Sequence, residues 1–448
     1  MRVFIYSSLI ILYIISRFTD SSLLSLSVGV CASLALILSV FYARGLYLIS
    51  GLCFLFIGVF LFYQSKLPWR ELFLNFETML GMLSLFLFLP FINSLIRVGR
   101  YDKSLSLFLE QSVTNLKKLY IRSFFVTHLL GLFLNIATIP LISNTLDNSL
   151  KQLPKRTIDQ FKAQSLLRSY AFCLMWSPME VMVSISLDMT HTNYLYILPI
   201  LLLVIVIAVL VDLLLASKKY KQELEVNANT KQVSSFKARK KVREMIILLI
   251  IFIVSVTSLE QVLNKGYLFS IILLALPISL VWACVIGRPK RYLQVTLPHW
   301  KERTNGLSNY FFMFLSAGFF VAMLSFSGHL DFLQTAFIAI SEKTLLFYLM
   351  IACFFFVTAL IGFHPLVSIT LLAELLHPVL PAVSSISLTL VLIACSMSTI
   401  MYSPYNLSLS ILADIIKVNP YRLGLWNIPF AIFYMLLAIT VAYLITLF

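Results

Sequence analysis

Two short segments carry the residue types that could hold an ion or a polar solute: Ser177-Pro178 with Glu180, and Ser403-Pro404 with Asn406. Proline removes a helical hydrogen bond and pushes the preceding residue out of the α region, so each Ser-Pro predicts a broken helix with freed carbonyl oxygens. Hydroxyl, carboxylate and amide groups beside such breaks are the parts from which membrane transporters assemble ion and substrate sites. For one Ser-Pro alone, a proline kink whose serine satisfies a neighbouring carbonyl is the simpler account. Its occurrence twice reverses that preference.

The duplication extends further. SPMEVMVSISLD from Ser177 and SPYNLSLSILAD from Ser403 align at an offset of 226 (403 − 177), which also pairs Ser184 with Ser410, Ile185 with Ile411, Asp188 with Asp414 and Asn193 with Asn419. One residue out of that register, Pro140 pairs with Pro365, Ser143 with Ser368 and Thr145 with Thr370. These lie in two apolar stretches, 123–149 and 346–385, each interrupted near its middle: Asn135, Thr138 and Pro140 in the first, Gly362, His364 and Pro365 in the second. Both read as re-entrant helical hairpins, which are permitted in a bilayer only where protein or a watery cavity satisfies the exposed backbone.

The elements that must position these residues are membrane spans. Of 448 residues, 60% are hydrophobic and 12% charged, more apolar surface than one water-soluble core can hide. Runs long enough for a bilayer about 30 Å thick fall near 3–19, 22–42, 45–63, 77–96, 169–190, 193–216, 245–264, 267–286, 308–326, 387–416 and 424–447. The expected fold is an all-α polytopic membrane protein with about 11 transmembrane helices plus two re-entrant hairpins in an inverted repeat. Its parts are an extra N-terminal span at 1–21, a first repeat at 22–216, a basic linker at 217–244 and a second repeat at 245–448. The opening run lacks a small-residue cleavage site, since Arg17, Phe18, Thr19 and Asp20 follow it, and is kept as a span.

A net charge of +15 reads here as cytoplasmic loops beside anionic lipid rather than as nucleic-acid binding. The linker carries Lys218, Lys219, Lys221, Lys231, Lys237, Arg239, Lys240, Lys241 and Arg243, which puts it, the 287–307 loop and the N-terminus in the cytoplasm. The polar stretch 97–122, basic against Asp102 and Glu110, counts as inside, while its counterpart 328–345 is nearly neutral and outside. The same element in opposite orientations is the mark of an inverted repeat. The six cysteines lie singly in apolar runs and read as small core residues.

This layout, with Ser143-Asn144-Thr145 and its partial echo Ser368-Ile369-Thr370, resembles the ion transporter superfamily, most closely the elevator transporters of the divalent anion/sodium symporter type. The resemblance implies eleven spans, two re-entrant hairpins, an amphipathic arm before each hairpin (97–122 and 328–345) and a broken helix after each. Asn135-Ile136-Ala137-Thr138 is an equally good hairpin tip, and the second copy has Ile369 in place of the Asn, so the solute stays open beyond small polar or anionic.

Glu180 is the sharpest single residue, because a carboxylate in an apolar run faces a cavity, a cation or a proton path, or else pairs with a Lys or Arg. His364 stands at the second tip, where it can hydrogen-bond an anion or carry a proton. Asp188 and Asp414 read as caps or interfacial charges, Glu374 and His377 as a mutually satisfying pair one turn apart, and His128 as packing. No nucleotide-binding loop or metal-ligand spacing occurs, so no enzyme, metal or cofactor is expected.

The expectation is an ion-coupled secondary transporter of the cell membrane, homodimeric, moving a small solute by an elevator-like symport step with Na⁺ or H⁺ as coupling ion. Its site residues are Asn135, Thr138, Ser143, Asn144, Thr145, Ser177, Pro178, Glu180, His364, Ser368, Thr370, Ser403, Pro404 and Asn406. The rivals are a lipid-linked-intermediate flippase or accessory subunit of envelope biogenesis, which an interior lined with basic residues would favour, and a membrane-embedded enzyme, which clustered His, Asp, Arg or Lys at a membrane face would favour.

Overall fold

The computed structural model describes residues 1–19, 21–109, 113–224 and 235–447; Asp20, Glu110 and the middle of the linker, Lys231 included, lie outside the described residues. The first half forms α1 (Arg2–Ser16), α2 (Ser22–Val40), α3 (Gly45–Gln64), α4 (Trp69–Leu74), α5 (Leu80–Val98), α6 (Tyr101–Leu109), α7 (Leu116–Leu134), α8 (Thr138–Leu150), α9 (Lys155–Met175), α10 (Val181–Thr190) and α11 (Tyr194–Lys219). The second half forms α12 (Ser235–Leu263), α13 (Tyr267–Val285), α14 (Pro289–Asn305), α15 (Ser308–Phe326), α16 (Asp331–Ser341) and α17 (Thr344–Ile361). It closes with α18 (Pro365–Leu376), α19 (Ser385–Tyr402), α20 (Leu407–Ile416), α21 (Pro420–Leu425) and α22 (Ile428–Ile445). Among the described residues there is no strand, only an isolated bridge between Asn115 and Glu223.

Among the described residues, eleven helical segments are long and apolar enough to cross a bilayer. Their membership differs from the hydropathy reading: α7–α8 and α17 count, whereas α1, at 15 residues, and α10 fall among the shorter apolar helices, so the spans expected at 3–19 and 169–190 are not among the eleven. The largest boundary correction is α9, which starts at Lys155 rather than near 169. Hydropathy missed its first turns because they carry Lys155, Arg156, Asp159 and Lys162, yet Asp159 and Lys162 are buried. Likewise the 287–307 loop is mostly the helix α14, and α12 begins at Ser235 inside the expected linker.

The chain divides into two compact units, each drawn from both halves. One comprises Met1–Leu95, Leu259–Glu342 and Thr370–Pro381. In it α15 packs against α2 and α3, and α1 against α2 and α14. Gly51 and Gly58 on α3 make the close approach possible: a Cβ at either would stand 2.6 or 2.8 Å from the Phe312 or Phe319 ring of α15. Glu374 corrects an expectation here. Its carboxylate accepts from the Ser325 hydroxyl at 3.0 Å, and its backbone carbonyl accepts from the Gln334 amide, so α15 and α16 supply the partners expected of His377.

The other unit comprises Ile96–Ser258, Lys343–Ile369 and Ala382–Phe448. Its centre is α19, packed against α9, α10, α17 and α22, with α7 against α9. A buried ion pair ties three of its helices: Arg168 (α9) donates to Asp212 (α11) at 2.6 Å, and the Tyr120 hydroxyl (α7) donates to the other Asp212 oxygen at 2.9 Å. Arg168 also donates to Asn427 Oδ1 at 2.9 Å and lies over the Phe430 ring, 4.3 Å from its centroid. The start of the linker is held too, since Leu116 N–H donates to the Gln222 carbonyl and Leu224 N–H to that of Thr114.

The cysteines are not uniformly core. Cys173 and Cys395 are buried, but Cys53, Cys284 and Cys353 are exposed and Cys31 is intermediate. A thiol is apolar enough to face lipid as readily as protein.

Removing one member of a buried ion pair strands the other charge. Arg168→Met is therefore expected to destabilise the protein by about 3–5 kcal/mol, and the double variant Arg168→Met/Asp212→Leu to recover most of it. Thermal unfolding in detergent checks this, with an unchanged midpoint for the single variant as the contrary result.

Candidate functional site

Both Ser-Pro segments break their helices, and they do so alike. After α9, residues 176–180 leave helical geometry before α10 begins at Val181; after α19, residues 403–406 do so before α20 begins at Leu407. The serines make the same turn, Ser177 Oγ accepting from Met179 N–H and Ser403 Oγ from Tyr405 N–H, each at 3.3 Å. The half-helices that follow end alike, in left-handed His191 (φ 51°) and Lys417 (φ 56°). Asn193 and Asn419 then cap the next helices, each accepting a backbone N–H two residues on at 2.9 Å. All of these pairs keep the offset of 226 residues (403 − 177, 417 − 191, 419 − 193).

The two hairpin stretches also break alike. Between α7 and α8 the turn is Asn135, at φ 49° and ψ −135°. Asparagine tolerates positive φ because its amide bonds locally, and here Asn135 Oδ1 accepts from Ile136 N–H at 2.7 Å and from the Tyr170 hydroxyl at 2.5 Å. Between α17 and α18 the corresponding residue is Gly362, at φ 116°, a conformation only glycine adopts without strain.

Each tip lies by a break. The first is joined to α9 through Tyr170, and the second stands beside Tyr405, whose ring lies 3.5 Å from where a Gly362 Cβ would be. Ser403 donates to the Ala359 carbonyl of α17 at 2.8 Å. The halves also interlock within this unit, α8 packing against α20 and α10 against α19, where the Thr190 and Thr389 hydroxyls meet at 2.6 Å.

Of the expected site residues, Ser177, Pro178, Glu180, Ser403, Pro404 and Asn406 are buried at the breaks, Asn135 and His364 lie at the tips, and Thr138, Ser143 and Ser368 are buried on the return arms. Among the described residues Ser143 Oγ, Ser368 Oγ and Thr138 Oγ1 have no hydrogen-bond partner. Ser143 and Ser368 are equivalent in the repeat (368 − 143 = 225), so the same orphaned hydroxyl occurs in both halves. Two residues are not gathered with the rest. Asn144 is exposed, and Thr370 belongs to the other unit, its hydroxyl directed at Met79 Sδ at 3.7 Å. Thr145 closes onto the Leu141 carbonyl of its own helix.

Glu180 is 8% exposed, and among the described residues no Lys or Arg lies within ion-pair distance of it. It stands at the N-cap of α10, its carboxylate against the Val181 and Met182 N–H groups without closing a capping bond. The positive end of the helix dipole favours an anion there. Asn406, in the equivalent place, spends its carbonyl on the Ser408 N–H and hydroxyl. Asp188 is half-buried and Asp414 exposed, away from the buried breaks.

Sequence reasoning passed over His128. The Trp176 indole, directly before Ser177, donates to His128 Nε2 at 3.0 Å. An indole nitrogen can only donate, so Nε2 must be the acceptor and Nδ1 must carry the proton. That Nδ1 is buried and has no partner among the described residues. Nothing in the sequence near His128 signals this, because the partner lies on another helix.

No family model and no curated protein matches this sequence. In fold the chain is similar to the YdaH transporter of Alcanivorax borkumensis, reported to have an unusual topology, with a TM-score of 0.58 at 14% identity over 89% of this chain and 98% of that one. The chain thus shares the all-helical fold of that protein and is a multi-pass membrane protein.

Proposed function

We propose that this protein is an ion-coupled secondary transporter of a small polar or anionic solute, its site formed by two re-entrant tips and two broken helices. The observation that carries the reading is their placement: both tips and both breaks, with Thr138, Ser143 and Ser368 beside them, fall in one compact unit, while the other unit holds neither a tip nor a Ser-Pro break. A division into a body that carries the site and a body that does not is what an elevator-like step requires. Glu180 supplies the fixed charge for Na⁺ or H⁺ coupling, as a buried carboxylate without a basic partner does in a membrane. The similarity in fold to a transporter supports the same class.

The rival reading, a flippase or enzyme handling a lipid-linked anion, calls for free basic groups in the interior. Among the described residues the buried cations of this unit are already neutralised, Arg168 by Asp212 and Lys162 by Asp147, which favours transport of a small solute.

The test is uptake into proteoliposomes of a panel of radiolabelled mono- and dicarboxylates, amino acids and inorganic phosphate under imposed Na⁺ or pH gradients. At least one solute should accumulate only with a gradient, and Glu180→Gln should lower that accumulation by about tenfold or more, the scale of one lost charged contact. Undiminished coupled accumulation in Glu180→Gln would remove the assigned role. A solute-independent check uses a cysteine-free background carrying Ser143→Cys or Ser368→Cys. Hydroxyls that face a watery cavity predict labelling by a small membrane-impermeant thiosulfonate at both positions, and protection at both would place them in packed protein instead.

A further inference from the structure

The unit without the proposed transport site contains an opening of about 590 Å³ with a chemistry of its own. Three turns bound it: α1 to α2, the 75–77 turn before α5, and α12 to α13. Its walls carry two cations, Arg17 and Lys265, one carboxylate, Glu77, and the neutral polar groups of Ser16, Ser25 and Asn75. Among the described residues neither cation lies within 4.0 Å of a carboxylate, so Glu77 does not neutralise either by direct pairing.

The opening lies where a bilayer ends. From Arg243 to Leu263, α12 rises about 30 Å at 1.5 Å per residue, roughly one hydrocarbon thickness. Lys265 follows immediately, so it stands at the level of lipid head groups. Within a turn of the lining residues, Phe18, Leu23 and Val262 are 51%, 75% and 79% exposed and offer apolar surface for acyl chains.

We propose that this opening binds the head group of an amino-phospholipid, its phosphodiester on Arg17 and Lys265 and its ammonium on Glu77. An Arg fork and a Lys ammonium suit phosphate oxygens, and a carboxylate beside them suits the tethered amine. Free inorganic phosphate fits less well, because Glu77 repels a dianion and the apolar flank would go unused. The site is independent of the transport reading, since no residue is shared.

Native mass spectrometry of the delipidated full-length protein in detergent tests this, with titration by palmitoyl-oleoyl phosphatidylethanolamine, by the matching phosphatidylglycerol and by inorganic phosphate. The wild type should hold one phosphatidylethanolamine above the general background, and Arg17→Gln/Lys265→Gln should weaken it by about tenfold or more. Glu77→Gln should weaken phosphatidylethanolamine and spare phosphatidylglycerol. Arg70→Gln, a cation on α4 that does not line the opening, should change neither. Wild-type binding in the double variant, an equal loss in Arg70→Gln, an equal loss of both lipids in Glu77→Gln, or displacement of the lipid by millimolar phosphate would each overturn the proposal. Thermal unfolding of each variant in detergent, expected at the wild-type midpoint for these peripheral side chains, separates lost binding from lost folding.

Discussion

Lipid offers no hydrogen bonds, and a helix broken inside it exposes groups that only the protein can answer. The unit built around α19 is organised by that demand. The carbonyl of Trp176, left free where α9 stops, accepts from the Tyr194 hydroxyl at the start of α11. The carbonyl of Ala359, near the end of α17, accepts from Ser403 at the other break. Each interruption thus recruits the helix beside it, and α11 and α17 take positions that continuous helices at α9 and α19 would not require. Some groups remain unanswered, among them the hydroxyls of Thr138, Ser143 and Ser368 and the Nδ1 of His128. Orphaned polar atoms cost least where water or a polar solute reaches them, and on the transport reading the hydroxyls of Thr138, Ser143 and Ser368 are such groups.

The same economy governs charge. A buried ion without a partner is costly, and the unit's other buried basic residues show the usual remedy: Lys162 is closed onto Asp147 and Arg168 onto Asp212. These pairs hold α8, α9 and α11 together. Against that background Glu180 stands out, because among the described residues no Lys or Arg pairs with it and it stands at the N-terminus of α10. A helix dipole offsets part of the cost of a carboxylate, and on the transport reading the coupling cation supplies the rest.

Much of this was legible in the sequence because lipid imposes simple rules. Apolar runs marked most spans to within a few residues, and the shared offset of Ser177 and Ser403 foretold the two breaks; that the structure keeps the same offset in the left-handed ends at His191 and Lys417 and in the caps at Asn193 and Asn419 was not readable from the letters alone. What failed was anything decided by a partner distant in sequence. The start of α9 was hidden because Lys155, Asp159 and Lys162 read as a polar loop, and only Asp147 across the turn explains how Lys162 is buried. Glu374 was assigned to His377 by proximity on one helix, whereas Ser325 of α15 takes it. His128 passed as packing since Trp176 is 48 residues away. The exposed cysteines misled for another reason: in a membrane an apolar run no longer implies burial in protein.

Duplication also explains a chemical asymmetry. The two breaks share backbone form almost residue for residue, yet position 180 is a carboxylate and position 406 an amide whose carbonyl is absorbed by Ser408. A repeat fixes where two half-helices start; it does not require them to present the same charge. On the transport reading the solute and its coupling ion are unlike, so a site with two identical halves would hold one of them poorly. Keeping the shared backbone and changing one side chain at the same cap position provides a charged half and a neutral half without disturbing the packing of α8 on α20 or of α10 on α19. The orphaned hydroxyls Ser143 and Ser368, alike in both halves, are suited to groups that either side of a polar solute can meet. Discrimination then falls to the residues that differ, Glu180 against Asn406 at the breaks and Asn135 against Gly362 at the tips.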